Sequence, residues 1–327
     1  MLKKFVPFAV FLFLFFVSFE MLKNPYTVDY IDAMKKDAVT VSSSKDPLYE
    51  ELLQKASEYE VKPQDARIDK IWKSIPGYNG LKVNVEKSYK EMKKDGEFHE
   101  DDLVYEQVKP KVHLDSLAPE PIYKGNPDKP MVAFLINVAW GNEYVEQMLP
   151  ILKQHQVKAT FFLEGKWLKN NQELGKKIAA DGHEIGNHSY NHPDMSKLTS
   201  GSISEQLDKT NAQISETLGM KPKWFAPPSG SFRKAVVDLA AEKGMGTIMW
   251  TVDTIDWQKP SPAVLQTRVL SKIHNGAMIL MHPTDPTAKS LDTLIAKIKE
   301  KGYALGSVSD LMDENRLRSS RQLPVFE

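Results

Sequence analysis

Gly182-His183-Glu184-Ile185-Gly186-Asn187-His188-Ser189-Tyr190-Asn191-His192-Pro193 places two histidines four residues apart, directly after a short strand-like run. One turn of chain at that spacing can aim both imidazoles at a common point, as a divalent metal requires. Two solvated loop histidines would have the same spacing, so the flanking sequence must decide. Around this stretch, apolar runs recur at 131–138, 158–165, 184–188, 223–228, 246–253, 276–282 and 303–308. Helical periodicity separates them at 143–155, 203–218, 234–243, 262–274 and 291–301. Continuous apolar strands alternating with amphipathic helices imply a parallel sheet buried on both faces. Seven such units predict an α/β fold, a distorted (β/α)7 barrel. In such folds chemistry gathers at the carboxyl ends of the strands, and Asn137, His188, Pro228, Asp253 and His282 all fall at or just beyond those ends.

The N-terminal part differs. Lys3 and Lys4 precede an apolar run from Phe5 to Phe19, a membrane-targeting pattern. With no small-residue cleavage site after it, residues 1–22 are expected to be an uncleaved anchor that holds the rest of the chain outside the cell membrane; the alternative is a cleaved signal and a secreted protein. Residues 23–45 form a polar spacer, and 46–116 a small α/β module of unassigned role. Within that module a helix opens at Pro47, and a second helix is expected from the spacing of Ile68, Ile71, Trp72 and Ile75. Strand alternation follows at Leu81, Val83 and Val85, then a helix near Tyr89 and Met92 and a strand at 104–108. A proline-rich linker (117–130) leads to the main domain (131–312), and a polar tail (313–327) ends the chain. Lys plus Arg and Asp plus Glu both number 43, so bulk charge offers nothing to a nucleic acid. The chain has no cysteine, which excludes disulfides, thiolate metal sites and a cysteine nucleophile.

Four motifs in order, His188-Ser189-Tyr190-Asn191-His192-Pro193, Trp224-Phe225-Ala226-Pro227-Pro228-Ser229-Gly230, Asp253-Thr254-Ile255-Asp256-Trp257 and Leu280-Met281-His282, resemble the polysaccharide deacetylases with a NodB homology domain. The run Ala139-Trp140-Gly141-Asn142-Glu143 is similar to the sporulation-associated branch. The resemblance implies metal-assisted removal of acetyl groups from an N-acetylated polysaccharide or peptidoglycan, which would make the chain a hydrolase of non-peptide carbon–nitrogen bonds. It further implies His188 and His192 as ligands of a divalent metal such as Zn²⁺, with His282 as general acid and Asp253 hydrogen-bonded to it. Trp257 and Leu280 would line the groove, with Pro228 beside it and the backbone amide of Ser229 facing the oxyanion.

The chain also departs from the family pattern. Where the family carries Thr-Phe-Asp-Asp, this chain has Leu135-Ile136-Asn137-Val138, so an amide stands at the base position and an isopropyl group at the third ligand position. Ala226 replaces the arginine that pairs with the base. Loss of the base leaves that arginine without a partner, and a buried unpaired charge is costly. Three functions remain compatible with these residues: a deacetylase using a substitute base, Glu143 or Asp194, or a metal-bound hydroxide that attacks without a protein base; a catalytically inactive protein that still binds glycan; and a scaffold for the N-terminal module. His99, His113, His155, His183 and His274 are expected to be structural or solvated, and Asp256 to be a hydrogen-bonding residue at a turn or strand end.

Overall fold

The computed structural model describes residues 13–17 and 46–317. Most of the expected anchor, the spacer and residues 318–327 of the tail lie outside the described residues. Residues 13–17 are helical and exposed. Among the described residues, no helix is long and apolar enough to cross a membrane.

Two compact units divide the described chain, one of residues 46–60 and 82–106, the other of 61–81 and 107–317. In the smaller unit, α1 (Pro47–Lys55) begins where Asp46 accepts a hydrogen bond from the Leu48 amide at 3.0 Å. The same carboxylate accepts from the Tyr89 hydroxyl at 2.7 Å on α2 (Val85–Met92). Tyr49 packs edge-on against Tyr89, with centroids 5.4 Å apart. Both helices match the expected periodicity, and strands form at β3 (Gly80–Val83) and β4 (Tyr105–Val108), but Val85, expected in the first of these strands, opens α2 instead.

The helix expected over 68–75 is instead an antiparallel hairpin of β1 (Arg67–Asp69) and β2 (Lys73–Ile75), with Arg67 opposite Ile75 and Asp69 opposite Lys73. Asp69 Oδ1 accepts from the amides of both Ile71 and Trp72 at 2.8 Å, and Lys73 adopts φ +56°. Side-chain capture of two successive amides offers the backbone a turn in place of a helix. The spacing of the apolar residues was therefore coincidental: Ile75 is buried, while Ile68, Ile71 and Trp72 are exposed.

The larger unit is built on a curled parallel sheet, with strand order β10 (Val252–Asp253), β11 (Met278–Met281), β5 (Met131–Val138), β6 (Thr160–Leu163), β7 (Glu184–Asn187), β8 (Trp224–Phe225) and β9 (Gly246–Thr247). An eighth strand, β12 (Ala304–Gly306), pairs with the start of β5. The single strand expected over 246–253 is thus two, β9 and β10, which occupy opposite ends of the strand order. All eight residues of β5 are buried, which explains why its sequence is apolar at every position but Asn137 instead of alternating. Val132, Phe134, Ile136 and Val138 join one core cluster, while Met131, Ala133 and Leu135 join another on the opposite face. Each of these side chains except Ala133 contributes roughly 1.5–3 kcal/mol by leaving water.

Helices α3 (Asn142–Gln154), α4 (Gly165–Asn170), α5 (Gln172–Ala180), α6 (Ser200–Leu218), α7 (Lys234–Glu242), α8 (Pro262–Leu270) and α9 (Asp285–Glu300) connect the strands, and α10 (Val308–Met312) follows β12. Their ends carry local signals. Thr199 accepts from the Ser202 amide at the start of α6, and Gly219 ends that helix at φ +67°. Ser261 and Thr284 play the same capping part for α8 and α9, each followed within two residues by a proline.

Candidate functional site

The carboxyl ends of β5, β7, β8, β10 and β11 bring together the residues that the sequence singled out. His188 follows β7 and is buried, 1% exposed. Its Nδ1 lies 2.8 Å from the carbonyl oxygen of Ala226. A carbonyl only accepts, so Nδ1 carries the proton and Nε2 keeps its lone pair, the state of a metal-ligating or accepting imidazole. His192 lies beside it, ring centroids 5.1 Å apart. Burial, reinforced by His192 and His282, pushes the His188 pKa down to about 3. Desolvation, with His282 adding to it, also lowers that of His192. Both rings are therefore neutral at physiological pH.

The loop that carries them is held by its own polar residues. Asn187 donates to Leu207 O at 3.0 Å and Asn211 Oδ1 at 2.8 Å, and its Oδ1 accepts from the Ser189 amide at 2.8 Å. Gln206 accepts from the amides of Tyr190 and Asn191, which ties the loop to α6. Ser189 and His192 both have positive φ, +62° and +56°. Such backbone persists only where its surroundings impose it.

His282, after β11, is also fixed in place, but by a different carboxylate from the one expected. Its Nδ1 bonds Asp256 Oδ1 at 2.8 Å, and its amide donates to Asp256 Oδ2 at 2.6 Å. Thr287 Oγ1 donates to the same carboxylate at 2.7 Å. Asp256 is fully buried. Asp253 instead accepts from the Ile255 amide at 2.7 Å, closing its own turn, after which Ile255 takes φ +52°. The pairing of Asp253 with His282 is thus corrected to Asp256. Asp256 is a hydrogen-bonding residue beyond the strand end, as expected, and the partner it holds is the candidate acid.

β5 supplies the opposite part of the rim. Asn137 is 5% exposed, and its Oδ1 has no hydrogen-bond partner within the protein. Val138 is fully buried among the apolar residues of its cluster, including Val145 and Met148. Ala226 is 2% exposed and offers only its backbone. Neither substitute carboxylate improves on this. Glu143 is exposed on the first turn of α3. Asp194 is held far below the ordinary carboxylate range by hydrogen bonds from Ser231, Ser196 and Lys197, which makes it a weak base.

The remaining candidates lie around these groups. Trp257, next to Asp256, is 58% exposed, and Leu280 is buried at 5%. Pro228 is buried and Ser229 exposed, in a tight turn where Ser229 has φ +53°. The sequence did not single out Trp140 as a site residue. Its indole stacks on the His282 ring at 6.1 Å with 10° between planes, yet remains 47% exposed. Gly141 next to it has φ +82°, and a Cβ there would come within 2.2 Å of the Pro283 carbonyl. An aromatic residue before a glycine in a strand-to-helix loop was the available signal.

A cavity of about 1010 Å³, lined in part by Leu114, Ile122, Trp224, Met245 and Gly246, lies at the amino ends of β8 and β9. Its size does not mark the rim chemistry.

Catalytic zinc centres use three protein ligands and leave a position for water. His188 and His192 would offer two, and Val138 none. Among the described residues, no group of three or more His, Cys, Asp or Glu side chains could hold an ion. The donor set therefore does not fit the metal of an active deacetylase.

With this geometry the comparisons agree. The chain belongs to the polysaccharide deacetylase family, whose pattern matches residues 124–248. It is 81% identical over 317 residues to the uncharacterized protein YlxY of Bacillus subtilis (strain 168), spanning 97% of this chain and 99% of that protein. It is 31% identical over 201 residues to the peptidoglycan-N-acetylmuramic acid deacetylase PdaA of the same organism, 60% of this chain and 76% of PdaA. The crystal structure of wild-type BA3943 from Bacillus anthracis, described as a CE4 family pseudoenzyme, shares 55% identity at a TM-score of 0.79, covering 84% of this chain and 97% of that one. A BA3943 mutant is described as having restored enzymatic activity.

Proposed function

We propose that this chain is a (β/α)7-barrel deacetylase relative that has lost hydrolysis and keeps a groove for N-acetylated glycan, with peptidoglycan as the candidate partner. The observation that carries the proposal is the carboxyl end of β5, where a buried amide and a buried isopropyl group stand in place of two carboxylates. Asn137 cannot take a proton at neutral pH, and general-base help is worth a factor of about 10²–10⁴. The pair His188 and His192 would hold a divalent ion such as Zn²⁺ only loosely. The retained groups, His282 with Asp256 and the exposed Trp140 and Trp257, suit recognition of a sugar with its acetamido group. Resemblance to a pseudoenzyme, and to a deacetylase named for peptidoglycan, supports both parts of the proposal. The apolar segment at 5–19 supports an extracytoplasmic, membrane-anchored location.

The test separates hydrolysis from binding. Purified protein incubated with N-acetylglucosamine oligomers or peptidoglycan fragments should release no acetate, while calorimetry registers binding of the same ligands. Acetate release by the wild-type chain that survives Glu143→Gln and Asp194→Asn would overturn the loss of hydrolysis. Absence of binding would overturn the glycan groove.

A further inference from the structure

The hairpin of β1 and β2 has a buried base and an apolar tip. At its base, Ser74 and Ile75 are 3% and 2% exposed, and the Ser74 amide donates to Pro121 O at 3.1 Å. Ile122, which bridges to Lys73, also bridges to Ile248 beyond β9, so the hairpin is tied to the sheet. At its tip, Ile71 is 74% exposed, Ile68 48% and Trp72 40%. Isolated exposed apolar side chains are ordinary, but three within five residues form a patch.

The patch is held in a fixed shape. Asp69 fastens the turn through the Ile71 and Trp72 amides. Trp72 leans edge-on against Tyr123 with centroids 6.5 Å apart, and Lys124 Nζ lies 5.5 Å from its ring centre. Cations surround the tip: Arg67 and Lys70 are exposed, and Lys73 and Lys124 are half-buried. Asp69 is the single acid of the segment 67–73, and the two amides already engage one of its oxygens.

Protruding aliphatic side chains, an indole at their edge and a ring of Lys and Arg match a bilayer interface, where apolar tips enter the acyl boundary, Trp sits at headgroup level and cations meet anionic lipid. A glycan would call for neutral or acidic groups directed at hydroxyls; apart from its cations, this tip carries only Asp69, whose carboxylate is already engaged by its own turn. The geometry points to the segment Ile68–Trp72 as a docking surface for an anionic lipid bilayer, with Ile71 and Trp72 entering the interface and Arg67, Lys70, Lys73 and Lys124 meeting the headgroups. This surface shares no residue with the histidine site and does not depend on glycan binding. It would hold the larger unit against the membrane independently of an N-terminal anchor.

Because the chain has no cysteine, Ile71→Cys gives a unique labelling position in the full-length protein, and Val264→Cys, 49% exposed on α8, gives a control. Both are labelled with a fluorophore and mixed with phosphatidylglycerol-rich vesicles containing brominated lipid. The label at position 71 should lose at least half its emission to the bromines, while that at 264 keeps its own. Adding Lys70→Glu and Lys73→Glu, both outside the core, should abolish the quenching at 71. Equal access of aqueous iodide to both labels would overturn the proposal. So would a label at 71 that is shielded from iodide yet unquenched by brominated lipid, which would mean a protein or glycan occupant.

Discussion

Across one rim, two sets of strand ends have met different fates. Beyond β7 and β11, His188, His192 and His282 keep their places, each imidazole or its loop held by named partners: Ala226 O for His188, Gln206 and Asn187 for the histidine loop, Asp256 for His282. At the end of β5 and in the turn after β8, three positions carry Asn137, Val138 and Ala226, and the one polar side chain among them leaves its Oδ1 unpaired. The difference has a physical basis. A carboxylate base and its arginine are stable together, and either one alone is a buried charge costing about 3–5 kcal/mol, so they are lost together. The histidine half needs no such pair: His188 is neutral and bonded to a backbone carbonyl, its loop is held by amide side chains, and the buried Asp256 is satisfied by His282 and Thr287.

The most severe test of that comparison is to rebuild the missing half. Asn137→Asp, Val138→Asp and Ala226→Arg together should raise acetate release from N-acetylglucosamine oligomers by roughly 100-fold or more over wild type when zinc is supplied, as general-base catalysis allows. Zinc retained after dialysis, measured by elemental analysis, should rise with it. Val138→Asp alone should lower the melting temperature, because it puts a carboxylate among Val145, Met148 and their neighbours. No gain in either activity or zinc from the triple variant would show that the retained half is no longer competent.

Next in size is the contrast between two aspartates three residues apart. Asp256 accepts three hydrogen bonds while fully buried, and Asp256→Ala should cost about 3 kcal/mol in urea unfolding, since buried partners are left unsatisfied. Asp253 accepts one, from a backbone amide in its own turn, and Asp253→Ala should cost about 1 kcal/mol. The reverse order would restore Asp253 as the residue that matters to the rim.

That contrast also shows where the sequence stops being informative. β5 was legible because eight consecutive buried residues leave a run that is apolar from Met131 to Ile136, and the order of strands and helices followed from the same signal. The histidine pair and His282 were legible by their place after strands. The choice between Asp253 and Asp256 was not, because it depends on the left-handed Ile255, a residue type that gives no hint of positive φ. The hairpin at 67–75 was misread because Ile68, Ile71, Trp72 and Ile75 fall at helical spacing while a single Asp69 side chain decides the backbone. Helices α4 and α10 are short, and the periodicity of α5 did not stand out.

His183 offers a pH test away from the rim histidines. His183 is 3% exposed, its Nδ1 accepts from the Ala159 amide at 3.2 Å, and burial lowers its pKa from 6.5 to about 4. A depressed folded-state pKa contributes stability that is present above the unfolded value and lost as pH falls through the folded one. Between about pH 6.5 and pH 4 the unfolded chain binds the extra proton, so His183 should contribute a slope of up to about 1.4 kcal/mol per pH unit. Urea melts at pH 7 and pH 5 should show the loss, and His183→Gln should flatten it. An unchanged slope would place the acid sensitivity elsewhere, His188 at the rim being the next candidate.

The smallest effect concerns Trp140, which touches the retained half from the side of β5. Its ring lies parallel to His282, while Gly141 and the Pro283 carbonyl fix the backbone beside it. Asn142, the following residue, accepts from Trp167 Nε1 and donates to Asn171 Oδ1, each at 2.7 Å. The loop is thus braced on both sides while an indole of 47% exposure is left facing solvent, an arrangement that packing alone does not require. If that indole is a platform for a sugar ring, Trp140→Ala should weaken binding of N-acetylglucosamine oligomers by about 1 kcal/mol, roughly fivefold, and leave the melting temperature within about 2 °C of wild type. A large fall in stability with unchanged glycan affinity would instead make Trp140 a cover for His282, and the groove would then owe nothing to the β5 side of the rim.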